Sequence, residues 1–222
     1  STKLLKQKMS KTILNFHKYY LSQTDLPNLK KYESKKFFNL NCLVIDLHSE
    51  EDWYLNGTSL NNWRDNNEFY KNIIELAKKH NNINFLIKSK NYNWIRNEFL
   101  AKTVQKIKST KNITILKDSK KWKPENFLGY ADFAVARHSS LSDQVLYLNK
   151  PVLIHDLNGH PSKIFPFDKN IICKNNKDLE KKFILLTKDI AAYNKKLNKT
   201  RKLIFYHNSI VNLNTFLEKT LQ

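Results

Sequence analysis

The run Phe133-Ala134-Val135-Ala136 stops abruptly at Arg137-His138-Ser139-Ser140, and a helical stripe begins where it ends. An apolar run without polar alternation suits a strand covered on both faces, as in a parallel sheet, and such a strand requires helices above and below it. Ser140 is placed to cap the helix, with Asp143 three residues on, while Leu141, Val145, Leu146 and Leu148 give it a buried stripe. Asn149-Lys150-Pro151 breaks that helix, and residues 151–154 read as a second buried strand ending in His155-Asp156. One strand–helix–strand unit of this kind already points to an α/β chain.

The rest of the chain repeats the alternation. Strands are expected over 41–47, 83–87, 113–116 and 170–173. Helices are expected from the Asp65–Glu68 capping pattern onward, over 95–107, and around Phe127 and Leu128. Residues 48–62 read as a long polar loop holding Trp53 and Gly57. Strand and helix in alternation predict βαβ crossovers and a parallel sheet with helices on both faces. At the ends, 4–21 has an approximate helical stripe, 177–206 reads as one long helix, and 210–221 as a last one. The expected organisation is an N-terminal helix and linker over 1–38, an α/β domain over 39–176, and C-terminal helices over 177–222.

Composition narrows the partners. The formal charge of +19 would attract nucleic acid, anionic lipid or phosphorylated substrates. The lysines, however, are spread along the chain and interleaved with asparagine, as in Lys174-Asn175-Asn176-Lys177, which reads as a compositional bias rather than one binding face. With only Gly57, Gly129 and Gly159, the chain lacks both the Gly-x-Gly-x-x-Gly turn and the Walker loop. A phosphate must therefore be held at a plain helix N-terminus. Cys42 and Cys173 each sit in an apolar run and read as buried free thiols. The sequence holds no long apolar span and no signal-peptide core at its start, so the expectation is a cytoplasmic protein, peripheral at most to the inner membrane face. No cluster has metal-ligand spacing, and no metal site is expected.

Candidate site residues collect at strand ends, where ligands of open α/β sheets settle. Ser139, Ser140 and their amides would face a phosphate, and His138 could donate to one of its oxygens. His155 and Asp156 end another strand and are the candidates for a general base. Asp46 could be a base but reads rather as a solvated or capping carboxylate, and Trp53 and Trp63 as aromatics that stack on a ligand or, more plainly, pack under the loop.

Several of these segments together resemble a known family. Phe85-Leu86-Ile87-Lys88, Ala131-Asp132-Phe133-Ala134-Val135, Ser139-Ser140, Asp143 and Lys150-Pro151-Val152-Leu153 resemble the C-terminal, nucleotide-sugar half of glycosyltransferases with the two-Rossmann GT-B fold, of the bacterial surface and capsular polysaccharide type. The resemblance runs over about 41–173. It implies a Rossmann-like donor-binding domain in which Ser139 and Ser140 hold donor phosphate, Asp143 faces ribose or sugar hydroxyls and Lys88 neutralises phosphate charge; His160, outside that pattern, could contact the donor base. Relatives place a His-Pro pair after the second strand, where this chain has Ser89-Lys90; its own pair is His160-Pro161. They usually carry Glu where Asp143 stands.

The implied function is metal-independent glycosyl transfer without a cofactor, with a nucleotide-activated sugar, of CMP or CDP type, as donor. The implied partners are a glycan acceptor and a second Rossmann-like domain or the remainder of a larger protein. The competing reading is a basic module that binds nucleic acid or another anionic polymer without catalysis.

Overall fold

The computed structural model describes residues 40–46, 53–55, 58–61, 63–89, 92–116, 124–137, 139–157, 159, 169–198 and 200–201. Six strands form one sheet, β1 (Leu40–Ile45), β4 (Ile83–Lys88), β5 (Ile113–Ile115), β6 (Phe133–Ala136), β7 (Val152–His155) and β8 (Ile172–Cys173). Two short strands, β2 (Trp53–Leu55) and β3 (Thr58–Asn61), pair antiparallel as a separate hairpin inside the stretch expected to be loop. The helices are α1 (Trp63–Lys79), α2 (Ala101–Ser109), α3 (Ser140–Tyr147), α4 (Asn176–Lys188) and α5 (Ile190–Lys196).

The sheet order is β5-β4-β1-β6-β7-β8 and every pairing in it is parallel. From β1 the chain steps outward to β4 and β5, then returns to β6 and steps the other way through β7 to β8. The order reverses between β1 and β6, which makes that pair the switch point of a doubly wound, Rossmann-like sheet. Because right-handed crossovers run in opposite directions on either side of it, α1 and α3 cover opposite faces. β4, β6 and β7 are buried along their whole length, as strands sandwiched between helix layers must be.

Register places Phe85 and Phe133 on either side of Cys42, and Phe183 of α4 lies across this row. Its ring stacks on Phe85 at 5.8 Å and meets Phe133 edge-on at 5.5 Å. α4 also runs beside α1, with His80 against Phe183 at 4.9 Å and Lys79 paired to Glu180 at 2.7 Å. Both cysteines are buried and free. Burial pushes the Cys42 thiol well above its usual range and the Cys173 thiol up to about 12, so both stay protonated.

Four sequence expectations are corrected. α1 starts at Trp63, two residues before the expected capping Asp65, whose carboxylate turns to Arg137 instead. The helix expected over 95–107 is two 3-10 turns, Asn93–Arg96 and Glu98–Leu100, ahead of α2, because the Asn97 side chain accepts from the Phe99 amide and restarts the chain. The long helix over 177–206 is broken at Asp189, which leaves α4 in extended backbone and caps α5 through the Ala192 amide at 2.8 Å. The cap of α3 is Ser139, one residue earlier than expected. The expected helices over 4–21 and 210–221 and the expected linker over 22–38 lie outside the described residues.

Two parts of the motif that carried the resemblance are architectural. Asp132 sits before β6, at the end of the sheet opposite the switch-point edge; its carboxylate accepts the Asn41 amide at 2.7 Å and its own amide donates to the Asn41 carbonyl at 2.9 Å, setting the register of β6 on β1. The Lys150 ammonium gathers the carbonyls of Leu128, Gly129 and Ala131 at 2.7, 3.2 and 2.6 Å, satisfying the end of the 3-10 helix Pro124–Gly129.

Candidate functional site

The carboxyl ends of four neighbouring strands, β4, β1, β6 and β7, deliver Lys88-Ser89, Asp46, Arg137 and His155-Asp156 to one edge of the sheet. All six residues are buried. Each lies at or one step beyond the last strand residue, so the parallel register itself lines them up across the switch point. Concentrating charge where the sheet opens is costly unless the groups answer one another.

Arg137 is the hub. It directly follows β6, is 3 % exposed, and sends Nη1 to the Asn66 Oδ1 at 2.7 Å and Nη2 toward the Asp65 carboxylate at 3.5 Å, both in the first turn of α1. Burial pulls its pKa down, while Asp65, Asp46, the Tyr70 hydroxyl and Asp156 oppose that pull, which places three carboxylates in its field. Asp46, expected to be solvated, is instead 3 % exposed and accepts a hydrogen bond from the Tyr70 hydroxyl. Tyr70 stacks on Trp94 at 4.5 Å, and the Trp94 indole donates to Ser89 Oγ at 2.8 Å. Burial and the neighbouring Asp46 carboxylate raise the Tyr70 pKa well above its ordinary value, so it remains a donor. Arg137, Asp46 and Tyr70 form a polar network that composition alone did not signal; the only sequence cue is that Arg137 and Asp46 each follow a run of four apolar residues.

The expected site residues fall as follows. Lys88 is buried at the end of β4, its ammonium donating to the Ser89 carbonyl at 2.7 Å and lying 5.4 Å from the Tyr92 ring centroid. Ser139 caps α3: its amide donates to Ser142 Oγ at 3.1 Å. The Ser142 amide donates to the Ser139 carbonyl at 3.0 Å and also faces the Ser139 side chain in a capping box, where Ser139 Oγ does not reach a full hydrogen bond. Ser140 and Asp143 lie in α3, in its first turn, with their side chains outside the described residues; Ser142, not Asp143, is the N3 partner of the cap. His138 and His160 lie outside the described residues. The structure thus brings Lys88, Ser139, His155 and Asp156 to one edge of the sheet.

His155 is 1 % exposed, its ring 6.2 Å from that of Phe69, and neither ring nitrogen has a hydrogen-bond partner among the described residues. Burial first, and the nearby Arg137 charge second, lower its pKa to about 4, against the opposing effect of Asp156. At neutral pH it is an uncharged ring. Because the unfolded chain binds a proton near pH 6.5 and the folded one only near pH 4, acid favours unfolding over that window. Between about pH 7.5 and about pH 4.5 this one group removes about 2–3 kcal/mol of stability. Urea unfolding of wild type and His155→Leu at the two pH values checks this: the variant should lose less stability on acidification by that amount, and equal losses would refute it.

Among the described residues there is no group of three metal-ligating side chains, and no described helix is long and apolar enough to cross a membrane.

By sequence the chain matches no protein-family model and no curated protein. By structure it is similar to UDP-GlcNAc 2-epimerase from Neisseria meningitidis bound to UDP-GlcNAc, with a TM-score of 0.52 and 16 % identity over 82 % of this chain. It is similar also to UDP-GlcNAc 2-epimerase from Methanocaldococcus jannaschii in complex with UDP-GlcNAc and UDP, with a TM-score of 0.51 and 15 % identity over 81 % of this chain. The chain spans 45 % and 46 % of the lengths of those two structures. At this identity the likeness is one of fold: a Rossmann-like unit that makes up less than half of the enzymes in which it recurs.

Proposed function

We propose that this chain is the nucleotide-binding Rossmann unit of a sugar-nucleotide-processing enzyme, and that its reaction is glycosyl transfer from a nucleotide-activated donor to a glycan acceptor. The observation that carries the reading is the Ser139 hydroxyl, buried and poorly satisfied by protein, opening a helix at the carboxyl edge of β6. First-turn amides have no intrahelical partner, and with the helix dipole they favour an anion there. Support comes from fold relatives that bind UDP-GlcNAc. In this reading Ser139 and Ser140 hold donor phosphate, Lys88 balances its charge, Asp143 faces the ribose, and His155 with Asp156 stands at the adjoining strand end. Departure of the nucleotide is the step such a site assists, because fixed donors stabilise the developing phosphate charge without reorganising. The acceptor and the remaining catalytic groups come from a second unit.

Isothermal titration with CMP, CDP, UDP and GDP tests the reading. Saturable binding of at least one is expected, and Ser139→Ala should weaken it by about 10- to 100-fold, the worth of a hydrogen bond to a charged group. Absence of saturable binding, together with steeply salt-dependent retention of oligonucleotides, would replace it with the anionic-polymer reading.

A further inference from the structure

A cation and two aromatic rings are stacked where α1 begins. The Arg64 guanidinium lies 4.8 Å from the Trp63 ring centroid, and the Trp63 ring lies 4.7 Å from that of Phe99 at an interplanar angle of 17°. Phe99 is 67 % exposed, whereas the five other described phenylalanines, at 69, 85, 127, 133 and 183, are 2 % exposed or less. Among the described phenylalanines, this one ring is left open.

The exposure is held in place rather than loose. Asn97 fixes the Phe99 amide at 2.9 Å, Leu100 beside it is fully buried, and the Thr103 hydroxyl ties the start of α2 to Asn67 of α1 at 2.6 Å. The stack also has a functional address. Trp63 belongs to the same helical turn as Asp65 and Asn66, which bond to Arg137 at the switch point.

We infer that the outer face of Phe99 is a stacking platform for the nucleobase of the nucleotide bound at this sheet edge, with Trp63 as its backing and Arg64 as a flanking cation. The inference rests on the donor-nucleotide reading above. A single flat ring whose sequence neighbours Arg96, Glu98 and Lys102 are exposed and charged, as is Arg64 beside Trp63, is a poor match for an apolar protein patch. It suits a planar, polar heterocycle attached to phosphate, because any base presents a π-face and the cation adds attraction for the phosphate.

The test compares CMP and UMP with ribose 5-phosphate, which carries the phosphate and sugar but no base, on wild type, Phe99→Ala, Phe99→Tyr and Ser139→Ala. Phe99→Ala is expected to weaken CMP or UMP binding by about 5- to 150-fold while leaving ribose 5-phosphate unchanged, and Phe99→Tyr to retain binding within about 3-fold. If Ser139→Ala weakens nucleotide binding and Phe99→Ala does not, the platform is refuted and the donor reading stands. If wild type binds none of the three compounds, the donor reading falls and the platform with it. Melting of Phe99→Ala at the wild-type temperature confirms that the exposed site was changed without unfolding.

Discussion

Replacing Arg137 by methionine is expected to destabilise the protein by about 3–5 kcal/mol, the cost of removing one partner from a buried ionic cluster. The guanidinium is the positive centre among Asp46, Asp65 and Asp156, and its loss leaves those carboxylates at the sheet edge without their shared counter-charge. Chemical denaturation at neutral pH measures the loss. A difference below about 1 kcal/mol at neutral pH would show that water or rearrangement compensates the cluster.

Phe183→Ala carries an effect of similar size for a different reason. Its ring fills the space between Phe85, Phe133 and His80, and truncation leaves a cavity that three rings line but none can fill. The expected loss is about 3–5 kcal/mol. Ile184, the next residue on α4, is 47 % exposed, and Ile184→Ala should change stability by no more than about 0.5 kcal/mol. Urea unfolding of the pair isolates packing from any general effect on α4 propensity. Equal losses would mean that α4 does not bear on the sheet through Phe183.

Legibility in the sequence followed how local each signal was. The strand Phe133–Ala136 was plain because four consecutive apolar residues admit few other readings, and parallel order followed from the spacing of such runs. A serine doublet is ambiguous about which member caps. Ser142, one residue before Asp143, supplies the N3 side chain, so the cap moved by one. Asp65 looked like a cap because only sequence neighbours were visible, whereas its partner Arg137 lies 72 positions away. The same distance hid the site's hub. Arg137 read as the point where a strand stops, and Asp46 as a carboxylate bound for solvent, since nothing local announces that Tyr70 would reach back to it. Lys150, by contrast, looked like part of a ligand motif and serves three backbone carbonyls. Short lysine-rich motifs do not by themselves separate anion recognition from carbonyl capping.

The margins of the sheet carry a consequence for assembly. The outermost described strands are stubs, three residues in β5 and two in β8, so each offers few backbone groups to template an incoming strand. Cross-β self-association through these two strands is thereby discouraged, and contacts made by this sheet fall to the side chains above the strand ends rather than to sideways extension of the ladder.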